Sequence, residues 1–208
     1  MHAPGRRHAV LAGLALALVL EPRAARAGGQ LEEPLADAVR TALSASVANA
    51  RLPRPAFDTT AQRLAYLRWL AAMSQRLSGR TPDHATRLDF LQVLWYESQR
   101  AGLDPALVLG LAEVESGFRK FAVSVAGARG YMQVMPFWAR SIGDGDASRL
   151  FHLQTNLRFG CVILRHYIDR ERGDLFFALG RYNGSRGRAE YPNAVFSARK
   201  RWEYKDSA

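Results

Sequence analysis

The feature that most constrains this chain is a helix carrying a carboxylate on its own apolar side. Residues Leu103–Pro136 read LDPALVLGLAEVESGFRKFAVSVAGARGYMQVMP. Asp104 followed by Pro105 is a helix start, an N-cap residue with proline in the first turn, and Gly117 supplies the stop. At about 100° per residue from Leu107, the side chains of Val108, Leu111, Ala112, Val114 and Phe118 crowd one side of this helix. Glu115 falls inside that stripe at roughly 80°, and Glu113 falls on the far side at roughly 240°. An ionised carboxylate on a buried helix face is costly, so its pKa rises, which is what a general acid needs to hold its proton near neutrality. The competing reading places Glu115 at a helix edge, paired with Arg119 one turn on.

The other elements read as helices too. Leu35, Val39, Leu43 and Val47 recur every four residues behind Pro34, and Pro53 and Pro55 mark a linker. A helix is expected from about Thr60 to Leu77 with Leu64, Leu67, Leu70 and Met73 inward, and another after Thr81-Pro82-Asp83 that closes at Gly102. Beyond the glycine-rich loop, a short helix spans Pro136 to Ile142 and a long one runs from about Leu153 to Gly173. One more reaches from Asp174 to Tyr182, and the last follows Tyr191-Pro192. No stretch alternates with period two, so the expected class is all-α.

The first 27 residues read as a secretory signal peptide. Arg6 and Arg7 precede an apolar run, Ala9 to Leu20, too short to span a bilayer, and Ala25-Arg26-Ala27 offers a cleavage site. Removing that piece takes away four arginines and Glu21, lowering the formal charge from +10 to +7. The expected organisation is a signal peptide over 1–27, an N-terminal helical appendage over 28–80 and a catalytic domain over 81–205, with no stable membrane span. The positive balance, nearly all arginine, suits solvated surface and an anionic polymer; export favours a cell-wall glycan, and no basic helix face points to nucleic acid. The lone Cys161 excludes an internal disulfide and shares a stripe with Leu157, Leu164 and Ile168, as a small core residue would.

No cofactor or metal is expected. No two of the five histidines stand at ligand spacing. The acidic run Asp144-Gly145-Asp146 mimics the opening of a calcium loop, but Arg149 stands where its glycine belongs and Thr155 where its bidentate glutamate belongs.

Three further blocks carry the functional reading: Glu115-Ser116-Gly117-Phe118, then Ser124-Val125-Ala126-Gly127-Ala128-Arg129-Gly130-Tyr131-Met132-Gln133-Val134-Met135-Pro136, and later Arg181-Tyr182-Asn183-Gly184. In this order they resemble the motifs of the soluble lytic transglycosylase family, over roughly Phe90 to Trp202. The resemblance implies a lysozyme-like all-α fold and cleavage of the bond between N-acetylmuramic acid and N-acetylglucosamine in peptidoglycan, ending in a 1,6-anhydro product. It implies Glu115 as the catalytic acid and Ser124 beside it near the substrate N-acetyl group. Met132 and Gln133 would line the sugar cleft, and Tyr182 would bond the catalytic carboxylate, with Asn183 next to it. Tyr131 replaces the usual leucine and either stacks on a sugar or packs. Arg181 replaces the usual alanine at that wall. A periplasmic or envelope location follows, with an envelope or secretion complex as a candidate partner of the N-terminal helices. Two alternatives remain open: a muramidase that uses water, and a non-catalytic wall-binding or assembly protein on the same fold.

Overall fold

The computed structural model describes residues 55–142 and 146–206. The expected signal peptide, the helix over Leu35–Val47 and Asp144 lie outside the described residues. Those described form seven α-helices and no strand: α1 (Thr60–Leu77), α2 (His84–Arg100), α3 (Pro105–Ser116), α4 (Pro136–Ile142), α5 (Leu153–Arg170), α6 (Leu175–Asn183) and α7 (Glu190–Trp202). The all-α expectation holds. A 3-10 turn over Ala147–Phe151, which periodicity did not reveal, enters α5.

Local chemistry sets the helix ends. Thr59 and Gln62 form a reciprocal capping box at the start of α1. Asp83, Asp104 and Asp174 each accept a backbone N–H at the start of α2, α3 and α6. Gly117 and Gly184, both left-handed, end α3 and α6.

The buried stripe of α1 differs from the expected one. Leu64 and Leu67 are 48% and 45% exposed, while Tyr66, Trp69, Leu70, Met73 and Leu77 face inward. The two aromatics fix the rotation of the helix, because Tyr66 packs on Trp95 of α2 and on Phe57 at ring separations of 4.8 and 5.0 Å. Turning α1 to bury Leu64 instead would expose far more apolar surface than it hides.

Helix α3 runs through the middle of the core, with every residue from Ala106 to Ala112 buried. Helix α7 crosses it at Gly110, where bare backbone meets bare backbone. A Cβ at Gly110 would lie 2.6 Å from the Arg199 nitrogen and 2.9 Å from its Cα. Arg199 also pairs with Asp104 at 2.7 Å, tying α7 to the start of α3. Two buried polar clusters brace the neighbouring helices. Glu97 on α2, 1% exposed, receives a fork of hydrogen bonds from Arg158 on α5. Arg87 on α2 donates to Ser74 on α1 and to the Thr81 carbonyl between them. Cys161 is buried and unbridged, as expected of a core residue.

The Gly110 crossing gives the first prediction. Gly110→Ala should lower stability by about 1–3 kcal/mol, the usual cost of overpacking. Leu67→Ser, on the open side of α1, should change it by less than about 0.5 kcal/mol. Thermal and urea unfolding of the two variants would check the contrast.

Candidate active site

Glu115 and Glu113 stand two residues apart near the end of α3 and are gripped by opposite ends of α7. Glu113 receives Arg80 and Arg201, each at 2.8 Å, and the indole N–H of Trp202 at 2.6 Å. Burial alone would raise its pKa, but these donors outweigh it and hold the carboxyl below its ordinary range. The far side of α3 is therefore an anchor to α7 rather than an open face.

Glu115 is 8% exposed, and among the described residues no cation pairs with it. Arg119, its alternative partner, instead donates to the Ser116 carbonyl. Desolvation pushes the Glu115 carboxyl up to about 8, against the opposing pull of a short hydrogen bond from the Tyr191 hydroxyl to its Oε1. The Tyr191 hydroxyl is itself held well above the usual phenol range, by burial first and by Glu115 second, so it remains a donor at any working pH. The pair amounts to a neutral acid beside a fixed donor.

The loop from Gly117 to Met135 is held by hydrogen bonds within itself and from α5. Asn156 of α5, with no exposed surface, donates to the carbonyls of Arg129 and Leu150 and accepts the Met132 N–H. Gly130 (φ 75°) passes so close that a Cβ would sit 2.3 Å from the Asn156 amide nitrogen, so both conformation and space require glycine there. Gln133 (φ 46°) turns its amide back to the carbonyls of Ala122 and Gly130. The Ser116 hydroxyl lies 2.7 Å from the Tyr131 carbonyl, joining α3 directly to the loop.

Several of the expected site residues lie buried in or under this loop. Tyr131 is 4% exposed, with its ring 4.7 Å from that of Phe90, so of its two readings packing is the one observed. Met132 has no exposed surface and fills the space above Gly160. Gln133, 4% exposed, is spent on backbone carbonyls. These three underpin the loop, because a loop turning through five left-handed residues needs internal partners for its buried polar groups. The Tyr182 hydroxyl donates to the Met132 carbonyl at 2.8 Å; the tyrosine donating to Glu115 is Tyr191. Ser124 stays partly exposed and closes the loop tip by accepting the Ala128 N–H. Asn183 is partly buried at the last position of α6. Arg181 is turned to Glu171, which it shares with Arg186, and these arginines overcome desolvation to hold Glu171 down to about 2.

Residues 93–205, just over half the chain, match the model of the transglycosylase SLT domain. The chain belongs to the SLT transglycosylase family. Among its relatives is a transglycosylase of Enterobacteria phage PRD1, 35% identical over 102 residues that make up 47% of this chain and 37% of the phage protein. Another is a membrane-bound lytic murein transglycosylase C of Actinobacillus pleuropneumoniae, 37% identical over 83 residues, or 36% of this chain and 23% of the relative. The matches thus span well under half the length of these SLT relatives. A solved lytic transglycosylase Slt from Pseudomonas aeruginosa, an inactive mutant, is 22% identical and covers 67% of this chain and 27% of its own, with a TM-score of 0.44.

The raised acid has a consequence for stability. A carboxyl whose folded pKa lies above its unfolded value stabilises the fold fully below the unfolded pKa, and that contribution is lost as pH rises through the folded value. Between the ordinary 4.5 and about 8, wild type should lose stability that Glu115→Gln keeps, so the variant gains on wild type as pH rises. Midpoints of unfolding measured from pH 4 to 9 would check the sign. Tyr191→Phe, which removes a bond favouring the ionised form, should move the Glu115 transition further up; a downward move would contradict the assignment.

Proposed function

We propose that this chain cleaves the β-1,4 bond between N-acetylmuramic acid and N-acetylglucosamine in peptidoglycan strands, as a lytic transglycosylase yielding a 1,6-anhydromuramoyl end. The observation that carries the reading is Glu115 itself, a buried acid with no cation beside it among the described residues and one hydroxyl donating to it. Family membership and the names of the relatives support the substrate class.

With Tyr191 donating to Oε1, the acidic proton falls to Oε2. Glu115 gives that proton to the glycosidic oxygen as the C1–O bond breaks, and N-acetylglucosamine leaves with its 4-hydroxyl restored. The muramoyl C1 is then electron-deficient, and Glu115 is a carboxylate that the Tyr191 hydroxyl stabilises. The substrate's own C6 hydroxyl attacks C1 and hands its proton to Glu115, so no water is consumed. An internal hydroxyl held near C1 does what a second protein carboxylate does in ordinary glycosidases. In support, four acids on the surrounding elements are committed elsewhere: Glu113 to Arg80 and Arg201, Glu97 to Arg158, Asp104 to Arg199, Glu171 to Arg181 and Arg186. Ser124 and Asn183, both partly exposed, are the proposed substrate contacts.

Location belongs to the same proposal. The apolar N-terminal run and the cleavage-like Ala25-Arg26-Ala27 suit export to the periplasm or envelope, with an envelope or secretion complex as the proposed partner. No helix of the described residues is long and apolar enough to cross a membrane.

Glu115→Gln should lose about 10²–10⁴-fold activity on purified sacculi while still binding them. Mass spectrometry of the products of the unaltered chain should show ends lighter by one water than those of a muramidase digest. Products carrying the added water would establish the hydrolytic reading, and binding without release would establish the non-catalytic one.

A further inference from the structure

The segment joining Glu115's helix to the glycine-rich loop exposes apolar side chains in alternation: Phe121 is 70% exposed, Val123 61% and Val125 fully. A lone exposed aromatic is ordinary, but this one is fixed in place. The ring of Phe121 leans on that of Phe151 with centroids 5.8 Å apart. The next carbonyl, that of Ala122, accepts both the Gly130 N–H at 2.9 Å and the Gln133 amide at 3.1 Å. The ring therefore stands on the same backbone that carries Ser124. One cation lies over each ring of this pair. The Lys120 ammonium is 5.2 Å from the Phe121 centroid and the Arg129 guanidinium 5.5 Å from that of Phe151. The acid near Arg129, Asp146, is exposed and caps the 3-10 turn.

We propose that Phe121, backed by Phe151, with Lys120 and Arg129 within cation–π distance of the two rings, is a subsite that stacks a sugar ring of the glycan strand and meets its carboxylates, at a distance along the strand from the bond cut at Glu115. This rests on the proposed activity and adds where the strand is held. A pyranose presents a face of C–H groups that lies flat on an aromatic ring, and an exposed, pre-positioned phenyl gives up little conformational freedom on binding. Peptidoglycan differs from a neutral glycan in its lactyl and stem-peptide carboxylates. A platform with an ammonium and a guanidinium at its rings matches that charge, whereas a purely apolar partner would have to desolvate both cations.

The test uses the full chain carrying Glu115→Gln, so that strands bind without being cut. The probes are uncrosslinked peptidoglycan strands with stem peptides, the same strands stripped of peptides, and short N-acetylglucosamine oligomers. Phe121→Ala should weaken binding of both long strands about tenfold, Phe121→Trp should preserve it, and Phe121→Leu, apolar without a ring, should fail to restore it. Lys120→Gln should weaken only the peptide-bearing strands, with an effect that shrinks as salt rises. Parental affinity in Phe121→Ala, or full rescue by leucine, would overturn the subsite. The two readings fail separately. If the Glu115-intact chain cuts sacculi with a KM indifferent to Phe121, the subsite falls and the activity stands. If binding depends on Phe121 while that chain releases nothing, the subsite stands and the activity falls.

Discussion

The site depends on one crossing of backbones. At Gly110 the chain has no side chain to keep α7 away, and α7 comes close enough for its first turn to place Tyr191 against Glu115. The same approach sets Arg201 and Trp202 around Glu113 and Arg199 against Asp104. Two acids of one short helix and the one that caps it thus acquire two fates. Two are neutralised by cations and hold the helices together; the third meets no cation among the described residues and keeps its proton. Sequence spacing on α3 decides which acid faces which way, and α7 decides what each one meets.

The glycine-rich loop does complementary work. Asn156 replaces the partners that a turning backbone would otherwise seek in water, and Gly130 leaves it room to reach them. A loop bonded in this way loses little freedom when a ligand arrives, so binding energy is not spent on ordering it. Buried Tyr131, Met132 and Tyr182 form the floor of this arrangement, and the exposed run from Phe121 to Val125 forms its rim.

What was legible in the sequence was local. Asp104-Pro105 and Gly117 bound α3 because caps act within one turn, and Thr60–Leu77 emerged intact because its ends carry their own signals. The abnormal environment of Glu115 followed from its angle on the wheel. What failed was non-local. Tyr191 reaches Glu115 across 76 residues of chain, and nothing near Tyr191 marks it beyond its place at a helix start. Asn156 looked like an ordinary polar residue in the first turn of a helix. Met132 and Gln133 follow glycines in a polar-looking loop, and only the path of α5 shows them buried. On α1, counting leucines misplaced the stripe because two aromatics outweighed them.

The bond between Tyr191 and Glu115 also bears on how such a centre would reset. A phenol that donates to Oε1 can do so to the carboxylic acid and, more strongly, to its conjugate base, so neither side chain has to swing as the charge comes and goes. On the proposed route the proton lent to one half of the cut strand is repaid by the other half. Each cycle then closes on itself, with no exchange with the surrounding medium.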